Sequence, residues 1–309
     1  MSVTRALERD GHVFGVLDCF DSASDGLQIE ISETARMLIT GQDCPITDIK
    51  AVWWRQKPQF VIPSEKASEL YDYYFVHREW NHIHDYLGQL LQHCYCINSR
   101  EAAARANNKL SQLRLADANG FCIPQTLISN SSDEVQAFRK SIGQKRLIFK
   151  TLTQYMSPTG MATYTSMVDE DTIGSHASSL RSCPGIFQEY IDKQFELRIT
   201  VVGSEVFAAR INSHASSESE VDWRQCIFDD IYEKYDLPDS FHAKLLRLHN
   251  EFGLVYGAYD FVVKNDGTPV FLEVNPSGQW MWIENRLGFP IGDRIAAALA
   301  RFDAGHPCP

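Results

Sequence analysis

No stretch of the chain comes near the roughly 18–20 uninterrupted apolar residues that a membrane-crossing helix needs, so no membrane partner is expected. Basic residues are also in short supply. The 29 Lys+Arg stand against 40 Asp+Glu, a formal net charge of −11. Nonspecific nucleic-acid binding rests on a positive field, so nucleic acid is not an expected partner either. The N-terminus, MSVTRALERDGHVFGVLD, places charges where a secretion signal needs an apolar centre. The eight cysteines are scattered through apolar contexts in a chain too long to need a disulfide framework. Reduced thiols and a cytoplasmic location fit that usage. Zinc-type ligand spacing is missing: Cys94-Tyr95-Cys96, near His82, His84 and His93, follows none of the usual patterns. Packed thiols and a solvated helix face are the better reading there. No internal repeat occurs.

What is present is an ordinary globular composition, 44% apolar and 22% charged over 309 residues, enough for two or three domains with a sizeable core. His12–Leu17 reads as a buried strand, as does AVWWR at 51–55, and Ser64 to about His93 has helical length and period. Strand and helix thus alternate over residues 1–97, as in a small α/β domain. Asn98 is a candidate N-cap with Glu101 completing a capping box, and the helix Ser99–Asn119 stops at Gly120. Phe121–Ile128 and Arg146–Lys150 read as strands around a helix at Ser132–Ile142. Gln154–Ser166 reads as a mobile loop running into a strand. Three more strands are expected at Ile186–Ile191, Glu196–Val202 and Glu205–Ile211. The polar stretch Ser213–Glu220 reads as a mobile loop. A helix over Ser240–Gly253, a hairpin over Ala258–Val274 and a helix from about Gly292 to Ala304 complete the chain.

The hairpin is the most informative stretch. Asp266-Gly267 suits a two-residue loop, and that loop pairs positions summing to 533, so Asp260 faces Glu273. Asn275, two residues on, points to the same face. Two carboxylates rooted roughly 5 Å apart repel unless neutralised. A hard divalent cation would do so, and oxygen-only ligands favour Mg²⁺ or Mn²⁺ over zinc. The competing reading is a surface hairpin with both carboxylates solvated, which the flanking Phe261, Val262, Phe271 and Leu272 argue against. A three-residue loop would offset the pair.

Asp260 and the Glu273-Val274-Asn275 triplet resemble the ATP-grasp fold, whose C-terminal strands present Asp, Glu and an E-x-N pair to magnesium. VWWRQKP near residue 55, NKLSQL, IFQEYIDKQFELRITVVGSEVFAARI, DWR at 222–224 and FLEVNPSGQWMWIENRLGFPI are similar to the microviridin-type ATP-grasp peptide ligases, the graspetide macrocyclases. The likeness runs over nearly the whole chain. It departs in the stretch Gln154–Ser166, which carries only Gly160 where many ATP-grasp enzymes have several glycines over the phosphates.

The resemblance implies an α/β ATP-grasp architecture: an N-terminal domain over 1–97, a central lobe over 98–187 and a C-terminal lobe over 188–309. It implies ATP and two Mg²⁺ ions as cofactors, a ribosomal precursor peptide as partner and, since related enzymes are commonly dimers, a homodimer. It places Lys109 and Lys150 on the phosphates, the backbone of Glu189, Tyr190 and Ile191 on adenine, and Glu196 on the ribose. Asp260, Glu273 and Asn275 would hold metal. Arg198 and Arg210, on adjacent strands, are both expected to face the cleft as catalytic guanidinium groups. Asp192 and Lys193 would lie where such ligases grip the leader peptide, and Asp222, Trp223 and Arg224 are further candidates for peptide contact. Lys109 also reads simply as a solvated helix lysine, and the two arginines as a surface pair. The implied activity is ATP-dependent activation of Asp or Glu side chains as acyl phosphates, captured by Ser, Thr or Lys within the same peptide. A ligase of the same fold acting on a small molecule or a protein tail is the alternative, and a non-catalytic nucleotide- or peptide-binding module is a third reading.

Overall fold

The computed structural model describes residues 2–17, 28–30, 36–39, 42–55, 70–153, 165–212 and 231–301. The N-terminal region carries α1 (Ser2–Arg9), β1 (Gln28–Glu30), β2 (Arg36–Ile39), β3 (Gln42–Pro45), β4 (Ala51–Trp53), α2 (Leu70–Leu90) and β5 (Tyr95–Ile97). Next come α3 (Arg100–Asn107), α4 (Lys109–Ala118), β6 (Thr126–Ser129), α5 (Ser132–Ser141), β7 (Leu147–Lys150), β8 (Ser166–Val168), α6 (Glu170–Ser175), α7 (Ala177–Ser182) and β9 (Gly185–Glu189). The remainder holds β10 (Lys193–Val202), β11 (Glu205–Ile211), β12 (Tyr232–Lys234), α8 (Asp239–Phe252), β13 (Tyr256–Lys264), β14 (Pro269–Asn275), α9 (Met281–Leu287) and α10 (Ile291–Ala300).

Two antiparallel sheets dominate, one of five strands in the order β12-β11-β10-β13-β14 and one of four in the order β6-β9-β7-β8. A parallel pair β4-β5 and a small β1-β2-β3 sheet lie in the N-terminal region. The mixture of helices with separate sheets fits the expected α/β class.

Period-two alternation divides the five-stranded sheet. Phe195, Leu197, Ile199 and Val201 point from one face of β10 into a core shared with Ala106, Leu113, Leu245, Leu248 and Phe252 of the covering helices. Burying each large apolar side chain contributes about 1.5–3 kcal/mol, which holds α4 and α8 on that face. On the other face, Val202, Phe207 and Tyr256 pack beneath Val3, Ala6 and Leu7 of α1 and Ile291 and Ile295 of α10. Further along that same face the residues turn polar: Glu196, Arg198, Asp260, Glu273 and Asn275. One end is thus roofed by helices, and the other carries charge.

Several expectations are corrected. His12–Leu17 is irregular, with Val13 exposed, because no strand among the described residues lies beside it to take its backbone groups. Ser99, not Asn98, caps α3: its side chain accepts the Ala102 N–H at 3.2 Å. Asn98 is instead buried, and its amide makes four bonds. It donates to Tyr256 O (2.8 Å) and Pro276 O (3.0 Å) and accepts from Val255 N (2.7 Å) and Tyr256 N (2.8 Å). The expected helix Ser99–Asn119 breaks at Asn108, whose backbone is extended and whose side chain accepts the Ser111 N–H at 3.0 Å. That break puts Lys109 in the first turn of α4. α3 and α4 pack on β14, and β9 runs on to Glu189.

His249 of α8 lies fully buried with its Nδ1 2.9 Å from the Tyr259 hydroxyl. Burial holds its pKa down to about 4, against 6.5 for a free side chain. The unfolded chain therefore takes up a proton, as pH falls below 6.5, that the folded chain refuses until about 4. Stability should decline across that window by up to about 3 kcal/mol, at roughly 1.4 kcal/mol per pH unit. Urea unfolding between pH 7 and 4 should show this slope, and His249→Gln should flatten it.

Candidate active site

Directly opposed residues of antiparallel strands share a face. Arg198 of β10 lies opposite Ala209 of β11 and Asp260 of β13, and Asp260 lies opposite Glu273 of β14. Asn275, opposite Ala258, follows on the same face. One face thus carries Arg198, Asp260, Glu273 and Asn275 as neighbours.

The hairpin reaches that register by a different route from the one expected. Lys264 N–H donates to Thr268 O at 3.0 Å and Gly267 N–H to Lys264 O at 2.9 Å, so residues 265–267 form a three-residue loop. Gly267 occupies the left-handed region at φ 82° that closes such a loop. The pairs nearest the loop accordingly fall one residue away from expectation: Val263–Pro269, Val262–Val270 and Phe261–Phe271. A bulge between Phe261 and Asp260 takes up the extra residue, Leu272, and the register returns to Asp260–Glu273. Two single-residue offsets cancel. The burial pattern agrees, with Phe271 and Val274 in the core and Leu272 and Glu273 both half-buried. Without the bulge Glu273 would point into the core under α4.

Arg198 is buried, and its Nη1 donates to both oxygens of Asp260, at 3.0 and 2.9 Å. Its Nη2 donates to Gln279 O at 3.1 Å. Gly278 makes room for this guanidinium: a Cβ there would come within 2.8 Å of Nη2 and 2.5 Å of the Ala258 Cβ. The Gly278 carbonyl accepts the Tyr256 hydroxyl at 2.6 Å, and burial pushes that phenol well above the ordinary tyrosine range.

Asp260, Glu273 and Asn275 offer only oxygen donors, which suits a hard divalent cation. Asn275 Oδ1 accepts the Ser277 N–H at 2.9 Å and keeps a second lone pair. Glu273 and Asn275 are half-buried, so solvent reaches both. Among the described residues no group of three His, Cys, Asp or Glu is arranged for a metal, so any cation here depends on the Asn275 amide as third protein ligand. The residues fit Mg²⁺.

The other expected groups lie around the two large sheets. Lys109 Nζ donates to Thr151 O at 2.9 Å, at the end of β7. Lys150 closes β7 opposite Ile186, on the face away from the Leu147–Phe187 core. After β9 the chain passes to β10 through Tyr190, Ile191 and Asp192. Glu189 N–H is taken by Gln125 O (3.0 Å) and Tyr190 N–H by Arg146 O (2.7 Å). Neither Ile191 N–H nor Asp192 N–H has an acceptor among the described residues, so both are donors this segment can offer. The Glu189 carboxylate pairs with Lys145 and accepts the Gln125 N–H, facing the core side of its sheet. Glu196 is buried against Lys193, with Nζ to Oε1 at 2.6 Å. Lys193 is therefore committed inside the cleft wall, whereas the Asp192 side chain is 75% exposed and paired with Arg146.

Arg210 is corrected. It lies opposite Leu197 and Glu233, so it points to the sheet face opposite Arg198. Its guanidinium stands 4.0 Å over the Phe195 ring, with Nε 3.0 Å from Asn212 Oδ1 and 3.2 Å from Glu233. Because Arg198 pairs with Ala209, the next residue of β11 must face the other way. Asp222, Trp223 and Arg224, like Ser213–Glu220 and most of Gln154–Ser166, lie outside the described residues.

The chain matches the model of the RimK-like ATP-grasp domain over residues 106–299. It belongs to that family. Over its whole length it is similar to macrocyclase MdnC of Microcystis aeruginosa, solved bound with precursor peptide MdnA. The TM-score is 0.82 at 29% identity, covering 97% of this chain and 95% of the other. A RiPP-associated ATP-grasp ligase of Chryseobacterium gregarium, solved with ADP and a leader and core peptide, gives 0.81 at 26% identity, covering 97% and 92%. A probable alpha-L-glutamate ligase of Klebsiella pneumoniae (strain 342) is 26% identical over 301 residues, 96% of this chain and 94% of that protein.

In this ATP-grasp chain the supports of the charged face are the part hidden from sequence reading. Gln112 of α4 is buried and clamps β14 at Val274, donating to its carbonyl at 2.8 Å and accepting its N–H at 3.1 Å. Val274 lies between Glu273 and Asn275, so this amide fixes both. The one signal for it is a polar residue within the apolar stripe of a helix, which many surface helices show. Gly278 stands in the EVNPSGQW stretch, but nothing local there calls for glycine. Gly278→Ala should displace Arg198 and cost about 1–3 kcal/mol of overpacking. Thermal unfolding should show a drop of a few degrees. ATP turnover should fall much more, by about tenfold or beyond.

Proposed function

We propose that this ATP-grasp chain is a peptide ligase that crosslinks side chains within a ribosomal precursor peptide. ATP would give its γ-phosphoryl group to an Asp or Glu side-chain oxygen, releasing ADP and leaving an acyl phosphate. A Ser or Thr hydroxyl, or a Lys amine, of the same peptide then attacks the acyl carbon. The C–O bond to phosphate breaks, the nucleophile loses its proton, and an ω-ester or ω-amide remains. The peptide loses one water per crosslink.

The observation that carries the reading is the face on which buried Arg198 stands beside the opposed pair Asp260 and Glu273. Phosphoryl transfer needs positioned charge more than covalent help. Asp260, Glu273 and Asn275 would hold Mg²⁺, which supplies neutralisation of phosphate charge when bound. Lys109 and Lys150 would contact the phosphates. Ile191 N–H would meet the adenine edge together with the backbone of Glu189 and Tyr190, Glu196 would take the ribose hydroxyls, and half-buried Leu272 would supply an apolar contact beside Glu273. Arg198 faces the reacting carboxyl and stabilises the charge that develops there, a task for which Arg210 lies on the wrong face. Exposed Asp192, with Asp222, Trp223 and Arg224, is assigned to the peptide, and Lys193 to the support of Glu196. The working division is an N-terminal domain, a central lobe around the four-stranded sheet and a C-terminal lobe around the five-stranded one, in a cytoplasmic homodimer that holds two Mg²⁺ per site. The similarity to ligases solved with precursor and core peptides supports the peptide as substrate. The glutamate-ligase relatives favour the second reading, addition of an amino acid to a small molecule or a protein tail.

Mass spectrometry of a candidate precursor peptide rich in Thr, Asp and Glu, incubated with the protein, ATP and Mg²⁺, tests the choice. Loss of water units that depends on ATP supports crosslinking, and hydroxylamine then separates ester from amide. ADP release with an unchanged peptide mass supports the second reading. Glu273→Gln keeps the side chain's shape and removes a metal ligand, so it should lower turnover by roughly a hundredfold or more without changing the melting temperature. Full activity in that variant would remove Glu273 from the metal site.

A further inference from the structure

The segment after β4 reaches the charged face by way of residue 279. Arg55, 224 positions earlier in the chain, donates Nη2 to Gln279 Oε1. Its guanidinium lies 4.4 Å over the Trp280 ring and 5.6 Å from the Trp53 ring, whose centroids are 5.2 Å apart. Gln279 in turn gives its backbone carbonyl to Arg198 Nη2 at 3.1 Å, and Arg198 Nη1 holds both oxygens of Asp260. One glutamine therefore accepts from two guanidinium groups, one through each of its oxygens.

The Arg55 group is poorly compensated. Its Nη1 is buried without a hydrogen-bond partner, and burial lowers its pKa. A guanidinium with a buried nitrogen normally recovers the lost water through several bonds to a carboxylate, and half-buried Arg55 has one amide oxygen and two rings. An apolar residue would bridge Trp53 and Trp280 without that cost. What it could not supply is a charged donor that fixes the orientation of Gln279, and through it the carbonyl under Arg198. Tyr256 fixes the neighbouring Gly278 carbonyl, so Arg55 and Tyr256 together hold the turn between Asn275 and α9 from two sides.

We propose that Arg55 is a positioning residue for carboxylate activation, acting through the Gln279 side chain to set the placement of Arg198. The N-terminal segment is then a working part of the reaction centre and not only a neighbouring domain. This rests on the reading of Arg198 as the guanidinium facing the reacting carboxyl.

The test separates a route through Gln279 from any direct or purely structural role. Steady-state ADP release is followed with precursor peptide and with water as acceptor, so that failure of the peptide reading leaves the comparison intact. Arg55→Gln and Gln279→Ala should each lower kcat by about tenfold or more, with KM for ATP changed less than about twofold, as expected when placement and not binding is lost. Gln279→Ala keeps the backbone carbonyl under Arg198 and removes only the oxygen that Arg55 holds. The double variant should be no slower than either single one. Gln279→Glu, which still offers Arg55 an oxygen, should recover most of kcat. An unchanged kcat in Gln279→Ala, additive losses in the double variant, or a loss in kcat matched by a fall in melting temperature and restored by cooling would each overturn the proposal.

Discussion

Asp260 and Arg198 sit on adjacent inner strands of the five-stranded sheet, and the contact between them organises the charged face. Taking a carboxylate and a guanidinium out of water is costly, and their attraction repays it only when geometry is good. Here Nη1 meets both carboxylate oxygens and Nη2 finds a backbone carbonyl, while Nε is buried without a hydrogen-bond partner among the described residues. Removing either partner of such a buried pair commonly costs about 3–5 kcal/mol, because the other is left uncompensated. Much of the surrounding structure can be understood as what this pair requires: a glycine at 278 to admit the guanidinium, a bulge to bring Glu273 alongside, and a turn held still enough to present its carbonyl.

Two buried amides provide the stillness. Gln112 takes both backbone groups of Val274, an edge-strand residue whose outward N–H and C=O would otherwise need another partner. Asn98 uses all four of its hydrogen-bonding positions to join the start of β13 to Pro276. The strand that carries Glu273 and Asn275 is therefore pinned along one edge and at its end. Buried polar groups of this kind specify one arrangement, since any slip leaves donors unsatisfied in a low dielectric. The helix that supplies Gln112 also begins with Lys109, so the break at Asn108 places both the lysine beside Thr151 and the amide beside Val274.

Part of the candidate site is legible in the residues alone. Alternation and turn residues place β10, β11, β13 and β14, because an amphipathic strand shows its period directly. The facing of Asp260 and Glu273 is legible too, although the two-residue loop that suggests it is one residue short and a bulge repairs the count. Arg210 is misread for lack of register: whether it shares a face with Arg198 depends on an even or odd offset across a turn, which composition does not reveal. The elements that escape a sequence reading (α1, β1, β2, β3, β5, α6, α7, β12 and α9) are short, eight residues or fewer, too few to show a clear period.

The sequence by itself determined the family, the oxygen-bearing residues of the hairpin and the longer strands β10, β11, β13 and β14, since these are written in residue types and local spacing. The tertiary structure alone decided which charged groups share a face, which amides hold β14, and that a guanidinium from residue 55 bears on the turn beside Arg198. Those are relations between residues far apart in the chain, and distance in sequence carries no information about contact until the sheets have closed.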